Sequence, residues 1–468
     1  MPTLQCYDLP ELQLRISPFE AGGISTCIRE VNVDHDLIGA LKKRSGYVTY
    51  LGTANGSQVN QLFNWTRNNG TQFWNYRLSG GILYYSTQGT GEWTVCGGGT
   101  FAGATQIGHA VLEDTMIVGD GINYTRHTTN GTSFGTTTSA PIASQFTDFQ
   151  GRIWAMGTSS DTFYSTTGTA SDWTTDSSSL RIPGPGKLLS LWKNLDRLVA
   201  TKNVGAMFKY DGYNLLDMTT SLGPTSAQSI GEVENFKFWL NNLGFFAYGG
   251  NSPEIISNPI RKQIYNDKGN GIVGTVFQNA PAGAFQYHYY CAVGTVTEDL
   301  TDETINNLTI LYDYQLNEWH NYDTLNLPTA FCQYQDINGN QQFIFGDKNG
   351  QCYQFEGTSL TDNGSPINAV VEHVIHCNAP EVLKKWNYLW LFFNPGCNAR
   401  VQVCFADTFI KGKKKWIDLG DVSSGYKEFR LPDEARSRLM FLKVTESSKD
   451  TRFDWYGYAL NYDEIQRY

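Results

Sequence analysis

Four short segments follow one another near the start of the chain: QVNQLFNW (Gln58–Trp65), TQFWNYRL (Thr71–Leu78), ILYYST (Ile82–Thr87) and GTGEWTV (Gly89–Val95). The first two are separated by Asn68-Asn69-Gly70, the next two by Ser79-Gly80-Gly81. Each segment alternates apolar and polar residues and is rich in aromatic and β-branched side chains, the pattern of a half-buried strand. The separators are turn formers that tolerate positive φ. The unit therefore reads as a four-stranded antiparallel meander.

Degraded copies of this unit recur. Tyr85-Ser86-Thr87-Gln88-Gly89-Thr90 leading to Trp93-Thr94 matches Tyr164-Ser165-Thr166-Thr167-Gly168-Thr169 leading to Trp173-Thr174. Leu311-Tyr312-Asp313-Tyr314 leads in the same way to Glu318-Trp319. A second motif, an apolar strand closed by an Asp/Asn-Gly turn, appears at Ile117–Gly121, Met207–Gly212, Phe245–Gly250 and Ile344–Gly350. Four-stranded units of about 40 to 50 residues are the mark of propeller blades, whose faces are covered by their radial neighbours. The sequence predicts an all-β protein: a β-propeller of roughly six or seven blades over 56–378. An N-terminal arm and platform segment (1–55) precedes it. An antiparallel β-sandwich or ring-closing platform (379–468) follows, built on longer strands such as LWLFFNPGCNARVQVCF and RLMFLKVTE. Only Asp34–Lys42 and Pro432–Arg438 read as short helices.

Composition agrees with short strands and tight turns. Of 468 residues only 17% are charged, while 14% are aromatic and 47 are Gly. The net charge of −10 argues against a protein that grips nucleic acid, because the phosphate backbone would be repelled. It leaves open a channel that DNA traverses without sticking. Nine Cys with no Cys-x-x-Cys spacing point to reduced, buried thiols. The opening MPTLQCYDLPELQLRISPF lacks the blocks of a signal peptide, and the longest apolar stretch, Trp386–Phe393, is too short to cross a bilayer. A protein made in the cytoplasm, without membrane insertion, is expected. The sequons at Asn64 and Asn130 are expected to be unmodified.

No catalytic, cofactor-binding or metal-binding residue emerges. In NAVVEHVIHC, strand alternation sets His373 and Cys377 on one face and Glu372 and His376 on the other. His373 and Cys377 would then stand about 13 Å apart, too far to share an ion. The Tyr-Ser-Thr…Trp repeats loosely resemble the Asp-box turns of sialidase-type propellers but lack the Asp, and no carboxylate pair is singled out for glycoside hydrolysis. Cys96-Gly97-Gly98-Gly99-Thr100 precedes a β pattern rather than a helix, so it is no phosphate loop, and no nucleophile elbow appears. Lys411-Gly412-Lys413-Lys414-Lys415 reads as a solvated hairpin tip, with contact to DNA or to an acidic partner as the sharper reading. Trp74, Tyr287 and Tyr289 are candidate sugar-stacking aromatics that more often serve as core.

Three regions carry a family resemblance. Asn32-Val33-Asp34 through Leu37–Tyr47, with Ser45 where Pro is common, resembles the start of podovirus tail hub or tail nozzle proteins. Asn317–His320 with Phe345–Tyr353, and Met440–Val444 with Asp454–Leu460, are similar to the middle and end of the same group. The resemblance implies a structural virion protein of a bacteriophage tail, without catalytic residues or cofactors. It implies a homo-oligomeric ring, usually hexameric, below the portal and adaptor. Genomic DNA would pass through its lumen without sequence-specific binding, and the ring would help retain the packaged genome. The rival expectations are a carbohydrate-binding propeller, as a lectin or receptor-binding tail component, and a propeller glycoside hydrolase.

Overall fold

The computed structural model describes residues 3–6, 9–10, 12, 24–36, 39–67, 70–87, 90–157, 162–165, 168–175, 177–265, 271–272, 274–336, 338–355 and 357–465. Six consecutive four-stranded antiparallel sheets span 59–100, 108–136, 143–181, 188–219, 231–255 and 282–323; they are blades 1 to 6. A seventh begins with Ala330–Gln335, Gln341–Gly346 and Cys352–Phe355. The first strands of blades 2 and 3, 3 and 4, 5 and 6, 6 and 7, and 7 and 1 contact one another, which sets them around a common axis. The protein is a seven-bladed β-propeller, all-β as the periodicity predicts.

Aromatic rings fill the spaces between blades. Phe63 stacks on His109 between blades 1 and 2, Trp154 meets Tyr210 between blades 3 and 4, and Trp192 meets Trp239 between blades 4 and 5. Phe238–Tyr289, Tyr290–Phe343 and Phe73–Tyr334 continue the series round to blade 1. Such rings bury a large area with few rotatable bonds, which suits a radial interface.

The quoted repeats fall where blade architecture needs them. All three Tyr-Ser-Thr…Trp-type segments join the third and fourth strands of a blade, although Gln88, Gly89, Thr166 and Thr167 lie outside the described residues, as do Asn68 and Asn69. The second motif proves to be turn chemistry rather than a fixed blade position. Ile117–Gly121 and Ile344–Gly350 link second to third strands, whereas Met207–Gly212 and Phe245–Gly250 link third to fourth. In three of them an Asp oxygen accepts two backbone N–H groups: Asp120 from Ile122 and Asn123, Asp211 from Tyr213 and Asn214, Asp347 from Asn349 and Gln351. The following Gly121, Gly212 and Gly350 have φ of 75°, 101° and 90°. That Asx-turn serves either junction.

The domain boundaries shift from those read off the sequence. The fourth position in blade 7 is taken by Tyr47–Tyr50, paired antiparallel to Cys352–Phe355, so the propeller closes with a strand from the expected N-terminal arm. Ala369–Ile375, expected in the propeller, instead pairs with Ser25–Val31 and Leu439–Glu446. These three strands, with Ala399–Ala406 and Ile417–Val422, form a five-stranded sheet. A seven-stranded sheet contains Val33–His35, Leu41–Lys43, Asp454–Glu464, Lys384–Phe393 and Tyr426–Arg430, with Thr3–Cys6 and Arg436–Ser437 alongside. The two sheets share one core, in which Trp386, Leu389, Leu391, Trp455 and Leu460 meet Val371, Ile375, Val401, Val403 and Leu442. The same cluster runs on into Phe245, Tyr289 and Trp319 of blades 5 and 6. The sandwich is thus woven from both chain ends.

Neither expected helix forms. Val33–His35 and Leu41–Lys43 make an antiparallel pair whose second strand adds to Asp454–Trp455; Leu37 and Ile38 lie outside the described residues. Nine residues are too few to hold a helix against the pairing offered by a sheet. Pro432–Ala435 is a turn, and Arg436–Ser437 pairs with Lys384–Lys385. Among the described residues the α-helical segments lie between blades 5 and 6, at Arg261–Ile264 and Gly274–Asn279. Among the described residues no helix is long and apolar enough to cross a membrane.

Candidate functional site

Propeller and sandwich meet at a seam of buried charge. The long hairpin loop of blade 6 delivers Glu298, Asp299 and Glu303 to the five-stranded sheet. Arg29 lies 3.0 Å from Glu298 and 3.8 Å from Glu372, and also pairs with Glu303. Lys443 stands 3.2 Å from Glu372 and 3.4 Å from Glu303. Burial pushes the Glu298 carboxyl up, against the pull of Arg29.

The basic run completes this seam. The Lys414 side chain is 2% exposed and reaches Glu372 at 3.5 Å; Lys411 reaches Asp299 at 2.9 Å; the Gly412 N–H donates to Leu300 O at 3.0 Å. Lys411–Lys415 is therefore not simply a solvated tip. It folds back onto acidic groups of its own chain, leaving Lys413 and Lys415 exposed.

Three further buried pairs tie the N-terminal segment down. Glu30 accepts from His320 at 2.7 Å and lies 3.6 Å from His35, which is 3.3 Å from Glu318. Burial would raise the Glu30 carboxyl, but His35 and His320 outweigh it and bring it to about 2. Burial would lower His35, yet Glu30 and Glu318 raise it to about 10. Lys43 donates to Glu446 at 2.5 Å and to the carbonyls of Ser448 and Thr451. Arg44 forms a two-pronged pair with Asp362 at 2.9 and 2.7 Å, while its Nε donates to Asn32 Oδ1 at 2.8 Å. Removing such ions from water costs about as much as pairing returns, so their effect is to fix one relative placement of the two bodies.

The other sequence candidates are dispersed. Glu372 faces the charged seam. His373 stacks on Trp455 at 5.2 Å inside the sandwich; neither ring nitrogen has a hydrogen-bond partner, and burial lowers its pKa to about 3. The backbone N–H groups of His376 and Cys377 both donate to Ile24 O, and Cys377 leaves the strand with φ of 54°. Among the described residues no group of three or more His, Cys, Asp or Glu is placed to hold a metal ion. Trp74 is core, stacked on Trp65 at 5.1 Å, and Tyr289 is buried with its hydroxyl on Ser229 O. Tyr287 is exposed in a hairpin of blade 6. The Asn130 side chain accepts from the N–H groups of Thr132 and Ser133, a turn use of that sequon.

A cavity of about 580 Å³ opens on the propeller face that carries the links between blades. It is lined by Gln58 and Asn60 at the start of blade 1, by Ala292–Gly294 of blade 6, and by the links between blades 1 and 2 (Thr105), 4 and 5 (Gln228), 5 and 6 (Val276, Asn279–Pro281) and 6 and 7 (Leu327–Thr329), so it sits at the mouth of the axis. Gln58, Asn60 and Gln228 present side-chain amides, and Val276, Pro281, Leu327 and Pro328 form an aliphatic wall. Asn60 is the extra residue of a β-bulge between Val59 and Gln61, a device that re-aims a side chain. Sequence reading missed this site, because its residues come from blade links separated by more than two hundred positions and carry no motif.

No protein-family model and no curated protein sequence matches the chain. Similar structures include YCF48 from Cyanidioschyzon merolae, at 12% identity and a TM-score of 0.42, covering 67% of this chain and 99% of that one. BamB from Moraxella catarrhalis is similar at 10% identity and a TM-score of 0.39, covering 72% and 98%. BBS1N, in a complex with ARL6DN, is similar at 8% identity and a TM-score of 0.45, covering 68% and 99%. The propeller assignment rests on the strand pairing of the chain itself.

Proposed function

We propose that this protein is a structural subunit of a bacteriophage tail hub or nozzle, assembling as a homo-oligomeric ring whose lumen passes genomic DNA during ejection and helps retain it beforehand. One observation carries the reading. The separate stretches that resemble podovirus hub and nozzle proteins come together in space at the joint and at ring closure. Arg44 bonds Asn32 and the Asp323 carbonyl, His320 bonds Glu30, Leu41 pairs with Trp455, and Tyr47 packs edge-on to Phe345 and Tyr353. Stretches from the start, middle and end of the chain thus act as one unit. A propeller pinned to a sandwich by buried ions is a rigid block, suited to bearing load in a ring. The net charge of −10 favours passage of DNA over capture.

In this reading the partners are further copies of the chain, the portal–adaptor complex and other tail proteins, and the location is the virion. The test is light scattering coupled to size exclusion, with electron microscopy of the purified chain alone and mixed with a portal–adaptor complex. A closed ring with an axial lumen is expected. A protein that stays monomeric at every concentration, and adds to no portal–adaptor complex, overturns the proposal.

A further inference from the structure

We infer that the axial cavity is a binding site for an uncharged carbohydrate. Among the described residues that line this cavity none carries a charge. A site for phosphate, nucleotide or sialic acid would place cations there, because charge-assisted bonds dominate anion recognition. Here the polar side chains are carboxamides and the hydroxyls of Thr105 and Thr329, and the Thr329 hydroxyl is committed to the carbonyls of Val59 and Gly346. Each carboxamide offers two N–H donors and a carbonyl acceptor, the set that pairs with neighbouring hydroxyls of a sugar, which donate and accept at once.

Three of these amides are free to do so. Among the described residues the side chains of Gln58, Asn60 and Gln228 have no hydrogen-bond partner, whereas the adjacent Gln61 is committed, its Oε1 accepting from the Ile107 N–H at 2.7 Å. The bulge separates these two uses: Asn60 leaves the strand pairing while Gln61 resumes it opposite Leu78. In the same cavity Val276, Pro281, Leu327 and Pro328 present C–H surface of the kind that covers the apolar side of a pyranose ring. A volume of about 580 Å³ lies within the usual range for small-molecule sites and admits one or two sugar units. The shape is a bowl at the axis rather than an open sheet edge, which favours a compact saccharide over an extended peptide.

The experiment uses the purified chain on an array of neutral hexose and N-acetylhexosamine glycans, sialylated and sulfated glycans, and uncharged peptides. Titration calorimetry of the best ligand then follows at low and high salt. Neutral glycans should bind, with affinity nearly independent of salt. Asn60→Ala and Gln228→Leu should each weaken binding about tenfold, the loss of one to two hydrogen bonds, with unchanged melting. The exposed Gln58→Ala, which risks little for folding, should weaken it in the same sense. Failure of every neutral glycan to bind overturns the inference. So does preference for anionic glycans or for peptides, or indifference to all three substitutions in folded protein. The outcome is separable from ring assembly: a monomer that binds glycans defeats only the tail proposal, and a ring that binds none defeats only this one.

Discussion

Arg44→Met should release the seventh blade. The Arg44 side chain is fully buried, bonds Asp362 with both terminal nitrogens, bonds Asn32 Oδ1, Ser45 O and Asp323 O, and lies 5.2 Å from the Tyr322 ring. Methionine keeps much of the stem but leaves the Asp362 carboxylate buried without its cation. Breaking a buried pair from one side costs about 3–5 kcal/mol, mostly as the stranded charge. That loss falls on the closing strand, because Asp362 neighbours Tyr47 in the sheet and Asn363 N donates to Tyr47 O. Hydrogen exchange at the amides of Tyr47–Tyr50 and Cys352–Phe355 measures the local opening free energy. Their protection should fall by about a hundred- to a few-thousand-fold, since about 1.4 kcal/mol is a factor of ten. Asp362→Asn added to Arg44→Met should recover part of it by removing the stranded charge. A fall of less than about tenfold, or a double variant no better protected than the single, would refute the reasoning.

Other consequences are open to simple measurement. His35 is held at about 10, above a free imidazole near about 6.5, so its stabilising effect is complete below that value and is lost as pH rises through 10. Glu30, held at about 2, contributes above its unfolded value and loses this as pH falls through 2. The melting midpoint should therefore be lower near pH 10 than near pH 6, and His35→Gln should flatten that alkaline limb; a variant with the same slope would reject the assignment. All nine cysteines are buried, and burial pushes Cys291, Cys332, Cys352, Cys377 and Cys397 up to about 12. The native protein should show no fast-reacting thiol with a disulfide reagent and all nine after unfolding; one rapid equivalent in native protein contradicts this. Gly131 has φ of 78°, and a Cβ there would lie 2.5 Å from the Trp74 ring. Gly131→Ala should cost about 1–3 kcal/mol in thermal or denaturant unfolding, and an unchanged melt would show that the contact yields freely.

How much of this was legible depends on how local each signal is. Turn chemistry is written in neighbouring residues, so Gly80 and Gly81, Gly121 and Gly350 announced their hairpins, and each has positive φ. The Trp that opens an outer strand was equally visible at Trp93 and Trp319, whereas Trp173, read the same way, lies in the link five residues before Ser178–Arg181. Register between distant strands is not written locally: nothing in Tyr-Val-Thr-Tyr at 47–50 names Cys352–Phe355 as its partner. The helical reading of Asp34–Lys42 failed for the same reason, since a strand edge at Trp455 decided the matter. Charges misled most. Lys414 and Glu372 look like surface residues when read alone, yet both side chains are nearly inaccessible and they face each other across the seam. A clue lay in NAVVEHVIHC, where a carboxylate interrupts an apolar run that every neighbour marks as buried.

The concentration of buried ions in residues 25–50 follows from what this segment must do. Within that span the chain contributes Ser25–Val31 to one sandwich sheet, Val33–His35 and Leu41–Lys43 to the other, and Tyr47–Tyr50 to blade 7. Three sheets are visited with only short links between them, so apolar burial alone would leave the order of the strands weakly specified, because several edges accept a short β-segment equally well. Charges placed at each transfer remove that ambiguity. Arg29 fits only beside Glu298 and Glu372, Glu30 only beside His35 and His320, Lys43 only at Glu446, and Arg44 only at Asp362. A slip of one residue would bury each of these ions without its partner, at several kcal/mol apiece. Ring closure and sandwich assembly are therefore coupled through one stretch of chain, and the two bodies hold a single relative orientation because any other strands buried charge.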